Sequence, residues 1–272
     1  MEFAPQEVKI EFLLTENIKE INKISSPEIF AMATNETYNI LPIDYLLADK
    51  LTTLGPNTIG IQNERSDEQI KQIYDIYSLI YFNIDSLNFM RVNKYYLQIA
   101  CLQADMREIP FEIESIYRDV ENQLEELSSI DIPTNKEFKK RIDDFQSLYL
   151  RRTINRPISE WAIIGLFLKL IFQLLTIDDK KIEEKIKQLI KIELKLKFSD
   201  IKGPAKGKQI LLFKDSLLRK FGDSGRIPIN QLKGKNQKRI FWEILSIQNM
   251  VTVIDWISDY FKSLGLDNRG PR

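Results

Sequence analysis

Residues 41–82 read LPIDYLLADKLTTLGPNTIGIQNERSDEQIKQIYDIYSLIYF, and their pattern sets how the rest of the chain is read. Two segments with helical apolar spacing, at about 44–54 and 68–82, flank GPNTIG, which supplies the turn chemistry between them. On a helical wheel, Leu46, Lys50, Leu54, Leu47 and Leu51 share one sector of about 140°, with Ala48, Asp49 and Thr52 facing away. Lys50 falls between Leu46 and Leu54. An unpaired charge in an apolar stripe is costly, so the spacing predicts a carboxylate or phosphate waiting for it. Otherwise its stem packs while its ammonium snorkels to water. The second helix offers Ile70, Ile73, Ile76, Tyr77 and Ile80 to a core and carries Asp75 on the opposite side with Lys71 and Ser78. A local i,i+4 salt bridge accounts for Asp75 by default. Arg65 and Asp67 sit in the loop ahead of that helix.

Upstream, Val8-Lys9-Ile10-Glu11-Phe12 alternates apolar and charged, as a half-buried strand does, and Thr37 to Leu41 predicts a second strand closed by Pro42. Glu11 shares a face with Lys9. An acid there suits a metal, but a solvent-facing strand side explains it better. Downstream the chain turns helical. Ile113, Ile116, Val120, Leu124 and Leu127 keep helical spacing, as do Phe138, Ile142, Phe145 and Leu148 or Tyr149. Pro157 and Ser159 open an apolar helix containing Trp161. KKIEEKIKQLI predicts a helix that passes into a short strand at 190–198, where IKIELKLKF alternates. Residues 199–236 read as loops around one short helix, capped by Asp215 and stopped by Gly222. A final helix runs from Ile240 to Leu264 and ends at Gly265, its stripe of Ile, Val and Phe reading as core. The expected fold is α/β (α+β): a small sheet with helices in residues 1–90, then a mainly helical region, 91–272, with the natural boundary near 83–112.

The chain has 272 residues and no histidine, which removes histidine bases, Ser-His and Cys-His nucleophiles and histidine metal ligands. One cysteine, Cys101, excludes an intrachain disulfide or a multi-cysteine zinc site and suits core packing. Any metal would therefore sit on Asp and Glu oxygens. The run Ala162 to Leu175 contains Lys169 and is short for a bilayer span, so it reads as a buried helix. No signal-peptide layout opens the chain, and the expectation is a cytoplasmic protein without a membrane partner. Zero net charge hides an asymmetry: residues 180–240 hold 18 Lys or Arg against 6 Asp or Glu, so the remainder is acidic. Such a block is either a nucleic-acid footprint or, equally, a solvated face or a patch that docks on the protein's own acidic part.

The run LPIDYLLADKLTTL followed by ERSDEQIKQIYDIYSLI resembles the nucleotidyltransferases of the abortive-infection toxin type (AbiEii/AbiGii). These carry Leu-Leu-Ala-Asp/Glu-Lys-Leu on a helix, a loop with arginine, and Lys-x-x-Tyr-Asp-Ile/Leu opening the next helix. The resemblance covers about 40 residues closely and FQSLYLRRTINRPISEW more weakly. It implies active-site roles for Lys50 and Asp75, nucleotide contacts for Lys71 and Arg65, and a metal-bearing acidic position at Glu11. It further implies an NTP with Mg²⁺, transfer of a nucleotide to an RNA such as tRNA or to a protein acceptor, and a cognate antitoxin.

One departure accompanies the likeness. Family members carry a Gly-Ser turn and an Asp-x-Asp pair that holds Mg²⁺, and neither occurs in these 272 residues. Taken as it stands, the chain is therefore expected to be a poor nucleotidyltransferase, inactive alone, for one of three reasons: a start placed too late, a partner chain that supplies the missing half-site, or a non-catalytic relative that binds nucleic acid or serves in assembly.

Overall fold

The computed structural model describes residues 21–25, 28–29, 32–33, 35–131, 136–150, 154–177, 181–198 and 201–265. The expected strand at 8–12, with Glu11, lies outside them. The chain divides into two compact units, Met1–Pro42 and Ile43–Arg272. In the first, β1 (Asn22–Ser25) pairs antiparallel with β4 (Thr37–Ile40), placing Ile24 opposite Tyr38 and Ser25 opposite Thr37. β2 (Glu28–Ile29) pairs with β3 (Met32–Ala33). The strand expected before Pro42 is therefore present as β4.

Every secondary-structure element among the second unit's described residues is helical. Its elements are α1 (Ile43–Leu51), α2 (Ser66–Phe82), α3 (Phe89–Met106), α4 (Ile113–Ser128), α5 (Lys136–Tyr149), α6 (Ile158–Leu175), α7 (Ile182–Lys195), α8 (Pro204–Phe221), α9 (Ile229–Leu232), α10 (Gln237–Ile244) and α11 (Met250–Ser263). The apolar helix expected around Trp161 is α6, and it forms the centre. Thirteen of its residues are buried, which is why it is apolar around most of its circumference. Among the described residues it is the one helix long and apolar enough to cross a membrane, and 72% of it is buried inside the protein. It packs against α4 so closely that a Cβ on Gly165 would stand 2.6 Å from the Ser128 backbone nitrogen. The 83–112 interval lies inside this unit, where α3 spans it and packs on α1 and on α6.

Three local expectations are corrected. The helix at 182 does not become a strand: α7 continues to Lys195, because Ile182, Ile186, Leu189, Ile190, Glu193 and Leu196 form a buried helical stripe through the alternating run. The loop-rich 199–236 segment contains an 18-residue helix, started by Pro204 after Gly203 at φ 67° and ended at Gly222, as expected for its stop. The last helix is broken into α10 and α11. At the break, the Ser246 amide donates to Asn249 Oδ1 (2.9 Å) and the Asn249 amide to Ser246 Oγ (3.3 Å), a reciprocal cap inside the apolar stripe. Val251 consequently faces solvent at 51% exposure, while Gly265, at φ 68°, closes α11 as its position implied.

Candidate functional site

The site begins with the phase of α1. Its buried face is Asp44, Leu47, Ala48 and Leu51, while Leu46 is exposed and Thr52 is buried, so the apolar sector read from the sequence is rotated. The reason is Asp44. Its Oδ1 accepts the Asn88 amide at 2.9 Å and its Oδ2 pairs with Arg91 at 3.5 Å, which lets an acid occupy the core side. Lys50 therefore borders the buried face instead of lying within it.

Its side chain is 21% exposed, and its ammonium donates to Gln72 Oε1 at 2.8 Å and to Asp75 Oδ2 at 3.0 Å. The expected counter-charge is a carboxylate from the neighbouring helix. Lys71 donates to the same Asp75 oxygen at 2.9 Å, so the expected i,i+4 bridge also exists. One carboxylate thus holds two ammonium groups, an arrangement with an excess positive charge that favours an incoming anion. Asp49, beside Lys50, is held above the usual carboxylate range by burial, with the Lys50 charge pulling the other way.

Arg65 is not part of this cluster. It closes a short 3-10 turn, Asn63–Arg65, and pairs with Glu68, its Nε 3.0 Å from Glu68 Oε1. Ten residues of helix, about 15 Å of rise, separate it from Asp75. Glu11 lies outside the described residues. Among those described, no group of three His, Cys, Asp or Glu side chains is placed to hold a metal ion, and Asp75 is already occupied by two lysines. The described donor set does not fit a magnesium centre.

Three residues that sequence reasoning missed fix the loop between Lys50 and Arg65. Asp119, 6% exposed, accepts from the Asn57 amide (2.7 Å), Asn57 Nδ2 (2.7 Å) and Thr58 Oγ1 (3.0 Å). Gln123 Oε1 accepts from the Gly55 amide at 3.0 Å. Arg107 Nη1 donates to the Thr58 and Gly60 carbonyls at 3.3 and 2.9 Å. These partners lie far apart in sequence, and no local spacing announces them.

Part of the basic block pairs with the protein's own acids. Lys235 bonds Asp131 at 2.6 Å, Lys238 bonds Glu193 at 2.7 Å, and Arg226 bridges Glu125 and Glu243. Arg239, 1% exposed, stands 2.6 Å from Glu243 and donates to the Ser128 carbonyl. Burial lowers its pKa, opposed by Glu243 and Asp131. Lys191, Lys197, Lys202, Lys208, Arg219, Lys220 and Lys233 are exposed.

Residues 1–153 match the family described as nucleotidyl transferase AbiEii toxin, type IV TA system. That span contains Glu11, Lys50, Arg65, Lys71 and Asp75, and it ends before the basic block. The chain matches no curated protein and no solved structure.

Proposed function

Because the chain belongs to the AbiEii nucleotidyl transferase toxin family of type IV toxin–antitoxin systems, we propose that the Lys50–Lys71–Asp75 cluster receives the phosphates of a nucleoside triphosphate and supports transfer of its nucleotide to an acceptor. The observation that carries this reading is the sharing of one Asp75 oxygen by two ammonium groups, within the family-matched span. Both lysines reach phosphate oxygens by exchanging one carboxylate contact for another anion, a small rearrangement of preorganised charge. In the reaction, the acceptor hydroxyl oxygen bonds to the α-phosphorus and the bond to the bridging oxygen breaks. Pyrophosphate leaves, its developing charge neutralised by Lys50 and Lys71. Asp75, relieved of both lysines, orients the acceptor hydroxyl and takes its proton. The acceptor in this reading is RNA such as tRNA, held by the exposed lysines of 191–233, and a cognate antitoxin restrains the toxin.

Calorimetric titration of the full chain with ATP or GTP and Mg²⁺ tests the binding step. Loss of one charge-assisted contact should weaken affinity at least about tenfold in Lys50→Ala. Equal affinity in the two proteins overturns the assignment.

A second reading, a binding protein without catalysis, is favoured by the described donor set, in which no three-carboxylate cluster occurs. It predicts RNA binding that falls steeply with salt and no metal-dependent nucleotide binding. Tight, metal-dependent nucleotide binding by this chain alone counts against it.

A further inference from the structure

The loop that follows Lys50 lines an open cleft of about 530 Å³, with Asn57, Thr58, Ile61, Gln62, Arg65 and Arg107 among its walls. Among the described residues no Asp or Glu lines it, whereas two arginines do. The loop is fixed from two sides: Asp119 and Gln123 of α4 hold its amides, and Arg107 at the end of α3 holds its carbonyls. Gly55 takes φ 83°, and a Cβ on Gly60 would stand 2.3 Å from the Leu54 carbonyl oxygen, so the backbone is committed to this path. Arg107 uses only Nη1 for this purpose. Its Nε and Nη2, the Nη1 of Arg65 and the Gln62 amide have no partner among the described residues. Cationic and amide donors thus converge on a cleft whose floor is rigid. None of the lining residues hydrogen-bonds to the side chains of Lys50, Lys71 or Asp75 among the described residues.

We propose that this cleft is a second phosphate-binding site, separate from the Lys50 cluster, in which Arg107, Arg65 and Gln62 grip the phosphate of a nucleotide or of an RNA strand. Arginine suits this task because its planar guanidinium offers two parallel donors to phosphate oxygens. Glu68 tempers the site by holding Arg65 on its exposed side. The cleft stands whether or not Lys50 binds nucleotide, because its own residues supply the charge.

The test titrates the full chain with three probes: ATP, inorganic triphosphate and a single-stranded RNA oligonucleotide. Arg65→Gln and Arg107→Gln are each expected to weaken triphosphate about tenfold, and Glu68→Gln to tighten it a few-fold. Arg107→Gln also removes two loop contacts, so Arg65→Gln and Glu68→Gln, which leave the loop anchored, are the decisive variants. Weakened RNA binding with ATP unchanged assigns the phosphate to the RNA. Weakened ATP binding with RNA unchanged assigns it to the nucleotide. Unchanged affinity for all three probes in Arg65→Gln and Glu68→Gln, or no binding of any probe by the wild type, overturns the proposal. A parallel titration of Lys50→Ala reports on the first site alone, so failure of one reading is distinguishable from failure of the other.

Discussion

Asp75→Asn removes the carboxylate shared by two ammonium groups, and the geometry sets the size of the effect. Lys50 and Lys71 lie 3.0 and 2.9 Å from one oxygen, so their nitrogens stand no more than about 5.9 Å apart. At an effective dielectric of about 20, two like charges at that separation repel by about 3 kcal/mol. The lysine side chains are 21% and 43% exposed, and water and salt reduce the net repulsion to about 1 kcal/mol. Loss of the attraction adds about 1 kcal/mol. The variant should therefore lose about 2 kcal/mol, or about 4–8 °C in Tm for a unit of this size. Lys50→Met should cost only about half as much, because Asp75 keeps Lys71. In the double variant the repulsion is gone, so its loss should be smaller than the sum of the single losses. Thermal unfolding followed by circular dichroism, in low and high salt, measures all three. The same Asp75→Asn protein should bind inorganic triphosphate more tightly, since two lysines are released to it. Strict additivity of the two variants, with no change in triphosphate affinity, refutes the coupled cluster.

Other residues give independent expectations. Burial pushes the Glu125 carboxyl up, but Lys169 and Arg226 outweigh it and hold the group below the usual range. Folding therefore disfavours its proton, so this stabilisation is complete above about pH 4.3 and is lost as pH falls through the lower folded value. Glu125→Gln should flatten the acid limb of a Tm-versus-pH curve, and an unchanged limb dismisses the network. Gly165→Ala places a methyl 2.6 Å from the Ser128 nitrogen, so the α4–α6 contact must open. A loss of about 3 kcal/mol is expected in urea unfolding, and less than about 1 kcal/mol contradicts the close packing. Asp119→Ala deletes three hydrogen bonds to the 57–58 loop. It should cost about 2–4 kcal/mol and speed amide exchange in residues 55–60, and unaltered exchange there removes its anchoring role.

What the sequence revealed and what it concealed follow from the range of each interaction. Lys50 stood out because hydropathy on a helix is local, and its need for a counter-charge could be read from the wheel. Its partner sits 25 residues away, and the spacing Lys71–Asp75 already explained that carboxylate, so nothing local connected the two. The wheel phase went astray because Asp44 is buried through a bond to the Asn88 amide, 44 residues distant. Arg239 and Glu243 have the spacing of a surface pair, yet their side chains are 2% and 0% exposed. The full length of α8 was hidden because Asp215, read as the cap of a short helix, lies inside it, although Gly203 and Pro204 mark its true start. The break before α11 was hidden because Ser246 and Asn249 interrupt a stripe whose apolar spacing continues on both sides.

Whether Lys50 handles phosphate during nucleotide transfer is tested most directly by labelling. The full chain is incubated with α-labelled NTP, Mg²⁺ and total RNA, beside a Lys50→Ala protein with an unchanged circular dichroism spectrum. Label should enter RNA with the wild type, and Lys50→Ala should slow its entry by at least about a hundredfold. Equal labelling by both proteins, or none by the wild type, contradicts a phosphate-handling role for Lys50.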